Sequence, residues 1–147
     1  MTPVIGITTY EDQASWRGWS ARAAMLPYVY VEAVRRSGAR AILLPPGGDD
    51  EEASATVASL DGLVVSGGPD IDPVRYGAPR HPQTQAPTTL RDAWDLSVTG
   101  HALRLGVQWH PEQGSDLRLF SALVEASAVR IAAERSTAEG TVLAPMI

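Results

Sequence analysis

The sequence predicts an α/β fold in three layers, a mostly parallel sheet flanked by helices. Two observations carry that expectation. Three short apolar runs, 4–9, 41–44 and 60–65, are separated by two stretches of helical character, and strand, helix, strand, helix, strand implies parallel strands joined by right-handed crossovers. The second and third runs also stop at turn formers, Pro45-Pro-Gly-Gly48 and Gly67-Gly68-Pro69.

Each element follows in order. Pro3-Val-Ile-Gly-Ile-Thr-Thr is a β-branched strand that leads into a polar loop carrying Trp16 and Trp19. Pro27 stands where a helix can begin, and Pro27, Tyr30, Val31 and Val34 follow the spacing that buries one helical face. Gly38 closes that helix. Ala41-Ile-Leu-Leu-Pro45 is a continuous apolar run suited to a strand covered on both faces. Asp49, Asp50, Glu51 and Glu52 open a second helix, where unpaired N–H groups and the macrodipole favour negative charge. Residues 69–88 are rich in proline and turn formers, too long and irregular for an ordinary connection, and read as a functional loop. Thr89-Leu-Arg-Asp92 resembles a capping box with aspartate in place of glutamate, so a helix should run through Trp94 and Leu96. Leu103 to Trp109 alternates as a strand does, and Asp116 can cap a last helix buried through Leu117, Phe120, Leu123 and Val124. One domain is expected over 1–134, with a C-terminal tail over 135–147.

Composition narrows the function. A formal charge of -5, with all twelve cations arginines scattered along the chain, argues against nucleic acid, whose phosphates require clustered cations. No run approaches the eighteen or so apolar residues of a membrane span, and the uncharged start lacks the pattern of a secretory signal. There is no cysteine, which excludes disulfides, thiolate metal ligands and a thiol nucleophile together and fits a reducing compartment. Cytoplasm is the expected location.

Two stretches could carry chemistry. In Gly106-Val-Gln-Trp-His-Pro-Glu112, His110 and Glu112 stand two residues apart at a strand end and project to the same side, as a base and its orienting carboxylate would. The same pair also fits a histidine satisfied by a surface carboxylate. In Ser66-Gly-Gly-Pro-Asp-Ile-Asp-Pro73, Gly67 and Gly68 let the backbone approach a ligand closely, or simply make a tight turn. Asp70 and Asp72 suit a cation or a substrate amine, or turn initiation beside proline. A metal-dependent reading would gather His110, Glu112 and Asp70 with His81 or His101. No pair has the His-x-x-x-His spacing of a helical zinc site, so no metal is expected.

Four stretches together resemble the class I glutamine amidotransferase-like family, in its γ-glutamyl hydrolase branch (peptidase family C26), which includes γ-glutamyl-γ-aminobutyrate hydrolase. They are Pro3-Val-Ile-Gly-Ile-Thr-Thr-Tyr, the segment from Pro27 to Pro45, Ser66-Gly-Gly-Pro-Asp-Ile-Asp-Pro with Tyr76-Gly77, and Leu105-Gly-Val-Gln-Trp-His-Pro-Glu with Leu119-Phe120. The resemblance implies a flavodoxin-like fold, no cofactor, and hydrolysis of a γ-glutamyl amide by a cysteine on a sharp elbow, with a thioester intermediate. It assigns His110 as base, Glu112 as its acidic partner and the Gly67 and Gly68 backbone as oxyanion site, with Asp70, Asp72 and Tyr76 in a substrate loop.

The chain departs from that pattern at one junction. The family's Gly-x-Cys-x-Gly elbow is expected between the helix containing Arg91-Asp-Ala-Trp-Asp95 and the strand 103–109, and here the two nearly abut near residues 97–100. A central βα portion is therefore missing, and the nucleophile with it. Ser97 lacks flanking glycines and sits on or beside a helix, so it is no replacement, and Ser66 precedes the turn. Loss of a central strand removes about five buried apolar side chains at roughly 2 kcal/mol each. Against the roughly 5–15 kcal/mol of a typical domain, this predicts a homodimer or a low melting temperature. The expected protein is a γ-glutamyl hydrolase relative that is inactive or impaired. The alternative is a non-catalytic binder of a small γ-glutamyl ligand, or a regulatory partner of an intact relative.

Overall fold

The computed structural model describes the backbone of residues 1–101 and 110–140 and the side chains through residue 134. The strand expected over 103–109 and the last seven residues lie outside the described residues. Three parallel strands, β1 (Val4–Thr8), β4 (Arg40–Leu44) and β5 (Gly62–Val64), form a sheet in the order β4-β1-β5. Val4 pairs with Arg40 and Thr8 with Leu44 on one side of β1, while Ile5 pairs with Gly62 and Ile7 with Val64 on the other. α1 (Tyr28–Arg36), α2 (Asp50–Ala58), α3 (Thr89–Gly100) and α4 (Arg118–Gly140) flank it.

Alternation along β1 decides which helices go where. Ile5 and Ile7 are fully buried against Tyr30, Val31 and Val34 of α1 and Phe120 and Val124 of α4. On the other face Leu63 packs with Ala53 and Val57 of α2 and Trp94 and Val98 of α3. The result is the three-layer α/β arrangement expected. Because β4 and β5 lie on opposite sides of β1, successive connections leave in opposite directions and open a crevice at the carboxyl ends of β1 and β5, where such sheets bind ligands.

Local chemistry sets the ends. α1 stops in a complete Schellman motif: Gly38, at φ 91°, donates to the Arg35 carbonyl and Ala39 to that of Val34. Pro27 takes the N-cap position and is exposed, so the buried stripe is Tyr30, Val31, Ala33 and Val34. Asp49 caps α2 by accepting the Glu52 N–H at 2.9 Å, with Asp50, Glu51 and Glu52 in the first turn as charge patterning requires. Asp116 accepts the Arg118 N–H at 3.1 Å at the start of α4.

Three expectations are corrected. The polar loop after β1 is an antiparallel hairpin of β2 (Tyr10–Trp16) and β3 (Trp19–Met25). Its two-residue turn, Arg17-Gly18, holds φ 46° and 85°, the left-handed pair that matches strand twist and that glycine at the second position favours. β4 is not covered on both faces. It is the outer strand of the described sheet; α2 packs on α3 rather than over it, leaving Ile42 47% exposed on that face, and Leu43 is 43% exposed on the opposite face, toward α1. The Thr89–Asp92 capping box does not form either. α3 starts at Thr89 behind Thr88, which makes no side-chain cap, and the Asp92 carboxylate turns away to accept the Asp72 N–H at 3.1 Å. No helix among the described residues is long and apolar enough to cross a membrane.

Candidate active site

The carboxyl ends of β1 and β5 bring Thr8, Ser66, Gly67 and Gly68 into the crevice, and α3 supplies Arg91 and Asp95 beside them. Thr8 Oγ1 accepts the Ser66 N–H at 3.1 Å, tying the strand ends together. Next to this turn His110 enters a short 3₁₀ turn, Pro111–Gln113, against which α1 packs. His110 Nδ1 meets Glu112 Oε1 at 2.9 Å. Proline at the first position of the turn folds the chain back so that residues two apart reach each other. The two ends of the pair differ: the Glu112 side chain is 3% exposed and that of His110 74%. A carboxylate held at Nδ1 fixes the tautomer that leaves the Nε2 lone pair outward, free to accept a proton.

Tyr30 joins the pair to the glycine turn, a role that its helical spacing alone does not reveal. Its buried hydroxyl accepts the Gly67 N–H at 3.1 Å and donates to Glu112. Burial raises the phenol's pKa first, and the neighbouring Glu112 charge raises it further. A Cβ placed on Gly67 would lie 3.3 Å from the Tyr30 hydroxyl and 3.8 Å from His110 Cε1, so Gly67, Tyr30, His110 and Glu112 form one cluster. Since the Gly67 N–H is engaged by Tyr30, Gly68 supplies the amide of the turn that has no partner among the described residues.

The second group missed by sequence reasoning is Arg91 with Asp95, which the one-turn spacing of α3 places side by side. Arg91 Nε donates to Asp95 Oδ2 at 3.1 Å with both side chains 6% exposed. Its Nη2 donates to the carbonyls of Ser66 and Gly67 at 2.6 and 3.0 Å and to Ser66 Oγ at 3.2 Å. The guanidinium also lies over the Tyr10 ring, 4.6 Å from its centroid.

Burial pushes the Asp95 carboxyl up to about 6, while Arg91 and the Thr8 hydroxyl pull it down and Asp92 adds a smaller upward push. Between the unfolded value of 3.8 and about 6 the native state therefore holds a proton that the unfolded chain has released. The stability due to Asp95 is full below about 4, falls as pH rises through about 6 and then levels, a change of about 3 kcal/mol. An Asp95→Asn variant, which has no such proton, should gain on the native protein by about that amount between acid and neutral pH. Urea unfolding of both across that range measures it; a constant difference would contradict it.

The 69–88 loop is braced by its own polar groups. Asp70 Oδ2 accepts the Gln85 N–H at 3.1 Å, and Asp72 caps the 3₁₀ turn Pro73–Tyr76 by accepting the Val74 N–H at 3.3 Å. Asp70 and Tyr76 line an open cavity of about 520 Å³ with His81 and Thr84, whereas Asp72 pairs with Arg80 at 3.9 Å. His110, Glu112, Gly67 and Gly68 are not among the residues lining that cavity. His101 pairs with Asp50 at 3.3 Å and His81 Nδ1 accepts the Gln83 N–H. Among the described residues no three metal-ligating side chains are grouped to hold an ion. Ser97 lies within α3, and Ser66 is buried with its Oγ turned to Arg91, so neither stands in a nucleophile's place.

The three-layer α/β fold with its parallel sheet is that of the class I glutamine amidotransferase-like proteins, and comparison with known families agrees. The family model described as Peptidase C26 matches residues 3–104, and the chain belongs to that class I glutamine amidotransferase-like family. It is 40% identical over 106 residues to a Mycobacterium tuberculosis protein named "Putative glutamine amidotransferase Rv2859c", covering 71% of this chain and 34% of that one. It is 30% identical over 105 residues to "Protein NtpR" of Enterococcus hirae, covering 71% of this chain and 44% of that one. The chain thus spans less than half the length of these relatives. The family match also ends six residues before His110.

Proposed function

We propose that this chain is a γ-glutamyl hydrolase-like protein, of the γ-glutamyl-γ-aminobutyrate hydrolase type, that keeps the base and part of the anion site of a thiol hydrolase without its nucleophile. The observation that carries the reading is the His110–Glu112 pair, made at 2.9 Å beside the glycine turn in a chain with no cysteine. Family membership supports a hydrolase or amidotransferase ancestry. Within the site, Glu112 orients the imidazole, Nε2 is the proton acceptor, and the Gly68 N–H is the donor available to a developing oxyanion. What is lacking is the group that would attack the amide carbon and whose proton His110 would take.

The test is glutamate release from γ-glutamyl-γ-aminobutyrate by the purified chain and by a His110→Ala variant. Both should run at the rate of the uncatalysed reaction, before and after iodoacetamide. Turnover by the native chain that His110→Ala abolishes would overturn the inactive reading. Saturable heat on adding the same compound in a calorimeter, without turnover, would favour a ligand-binding or regulatory role for the remaining site.

A further inference from the structure

We infer that Arg91 is a positioning residue that aims the Gly68 N–H into the crevice. The inference rests on reading the Gly67–Gly68 turn as an anion-facing site. In a planar trans peptide the C=O and the N–H point in opposite directions. Arg91 Nη2 holds the Ser66 carbonyl at 2.6 Å, and the N–H of that same peptide, on Gly67, points the other way to Tyr30 at 3.1 Å. Arg91 Nη2 also holds the next carbonyl, that of Gly67, at 3.0 Å. The N–H of that peptide is on Gly68, so fixing the Gly67 carbonyl fixes where the Gly68 N–H points. This N–H has no hydrogen-bond partner among the described residues. The next residue is Pro69, which has no N–H, so Gly68 is the last donor the turn can offer.

Gly68 is the position at which such a clamp needs glycine. A Cβ there would run into Arg91 Nη1, which lies against the glycine and has no partner of its own among the described residues. The rest of the side chain is locked from behind by Asp95 at Nε and by the Tyr10 ring, so Nη2 is presented to the two carbonyls in one orientation. A lysine would keep the charge but has no counterpart to Nε for Asp95 to hold, so its single flexible ammonium would not be fixed in that orientation.

The experiment reads the Gly68 amide directly, by ¹⁵N relaxation and residual dipolar couplings on the ligand-free chain. The native amide should have an order parameter near that of rigid backbone, about 0.85, and Arg91→Lys should lower it toward about 0.6 while the Gly6 and Gly62 amides of the sheet keep theirs. An Arg91→Ala variant should regain the native Gly68 value in millimolar guanidinium, a rescue that a merely space-filling role would not give. Gly68→Ala reaches the same question from the other side, because its methyl displaces the guanidinium with the charge retained. The residue 68 amide should loosen there as it does in Arg91→Lys. An unchanged residue 68 order parameter and bond orientation in these variants would overturn the clamp. Titration with L-glutamate is read separately: if the clamp behaves as described but the Gly68 amide fails to shift saturably, the γ-glutamyl reading fails and the clamp stands.

Discussion

Replacing Arg91 with methionine is expected to destabilise the chain by about 3–5 kcal/mol at neutral pH, the usual effect of removing one member of a buried ion pair. The loss takes away the main charge favouring the Asp95 carboxylate, so at neutral pH the buried carboxyl must stay charged without a partner or take up a proton, and it leaves the Ser66 and Gly67 carbonyls without the donor that now serves both. For a chain of this size that corresponds to a fall in melting temperature of roughly 10 °C or more. The effect should be smaller in acid, because an unpaired Asp95 can take up a proton, and its carboxyl is already pushed up to about 6 with Arg91 present. Equal losses on either side of that value would mean that Asp95 is not what Arg91 compensates. Adding Asp95→Leu to Arg91→Met should recover part of the stability, since an apolar pair of similar volume often substitutes well for a buried ion pair. The recovery should be incomplete, as the two carbonyls remain unserved.

Ile7→Ala should be comparably damaging, at about 2–5 kcal/mol, for a different reason. Ile7 is fully buried on the central strand of the described sheet and lies in the cluster joining α1 to α4, so its truncation opens a void that neither helix can close without moving away from the other. Ile42→Ala on the outer strand removes the same atoms from a side chain that is 47% exposed and should have a much smaller effect. Chemical denaturation of the two variants side by side makes the comparison. Similar losses would show that β4 carries a contact partner in solution, as the expected homodimer would supply.

Much of the scaffold was legible because its signals are local. The apolar runs of β1, β4 and β5, the acidic start of α2 and the glycine after α1 each act through neighbours within a turn or two, and each element formed where its residues indicated. The hairpin was missed because Glu11 to Ser15 is polar enough to read as loop, although Tyr10, Ala14 and Trp16 alternate on one face and Arg17-Gly18 is a two-residue turn. Exposure of β4 was illegible for another reason: an apolar run does not say whether a helix lies over it, and that depends on where α2 goes.

In the site, His110 and Glu112 could be paired from sequence because they are two residues apart. Tyr30 and Arg91 could not be attached to them. Their partners are Gly67, thirty-seven residues away, and Ser66, twenty-five residues away, and only the fold brings these together. Nothing local marks Arg91, in the first turn of α3, as a buried residue. Its burial follows from Asp95 one turn on and from the carbonyls at the end of β5.

The hairpin has an optical consequence. Trp16 and Trp19 are direct cross-strand partners on either side of its turn, and side chains so placed have Cβ atoms about 4.5–5.5 Å apart. Two indole transition dipoles at that range couple as an exciton, giving a circular-dichroism couplet of opposite-signed lobes superimposed on the helix bands. Trp94, buried between α2 and α3, stands in a different environment. The couplet therefore reports whether the arm is zipped independently of the core, and a helix content taken from a single far-ultraviolet wavelength would be distorted by it.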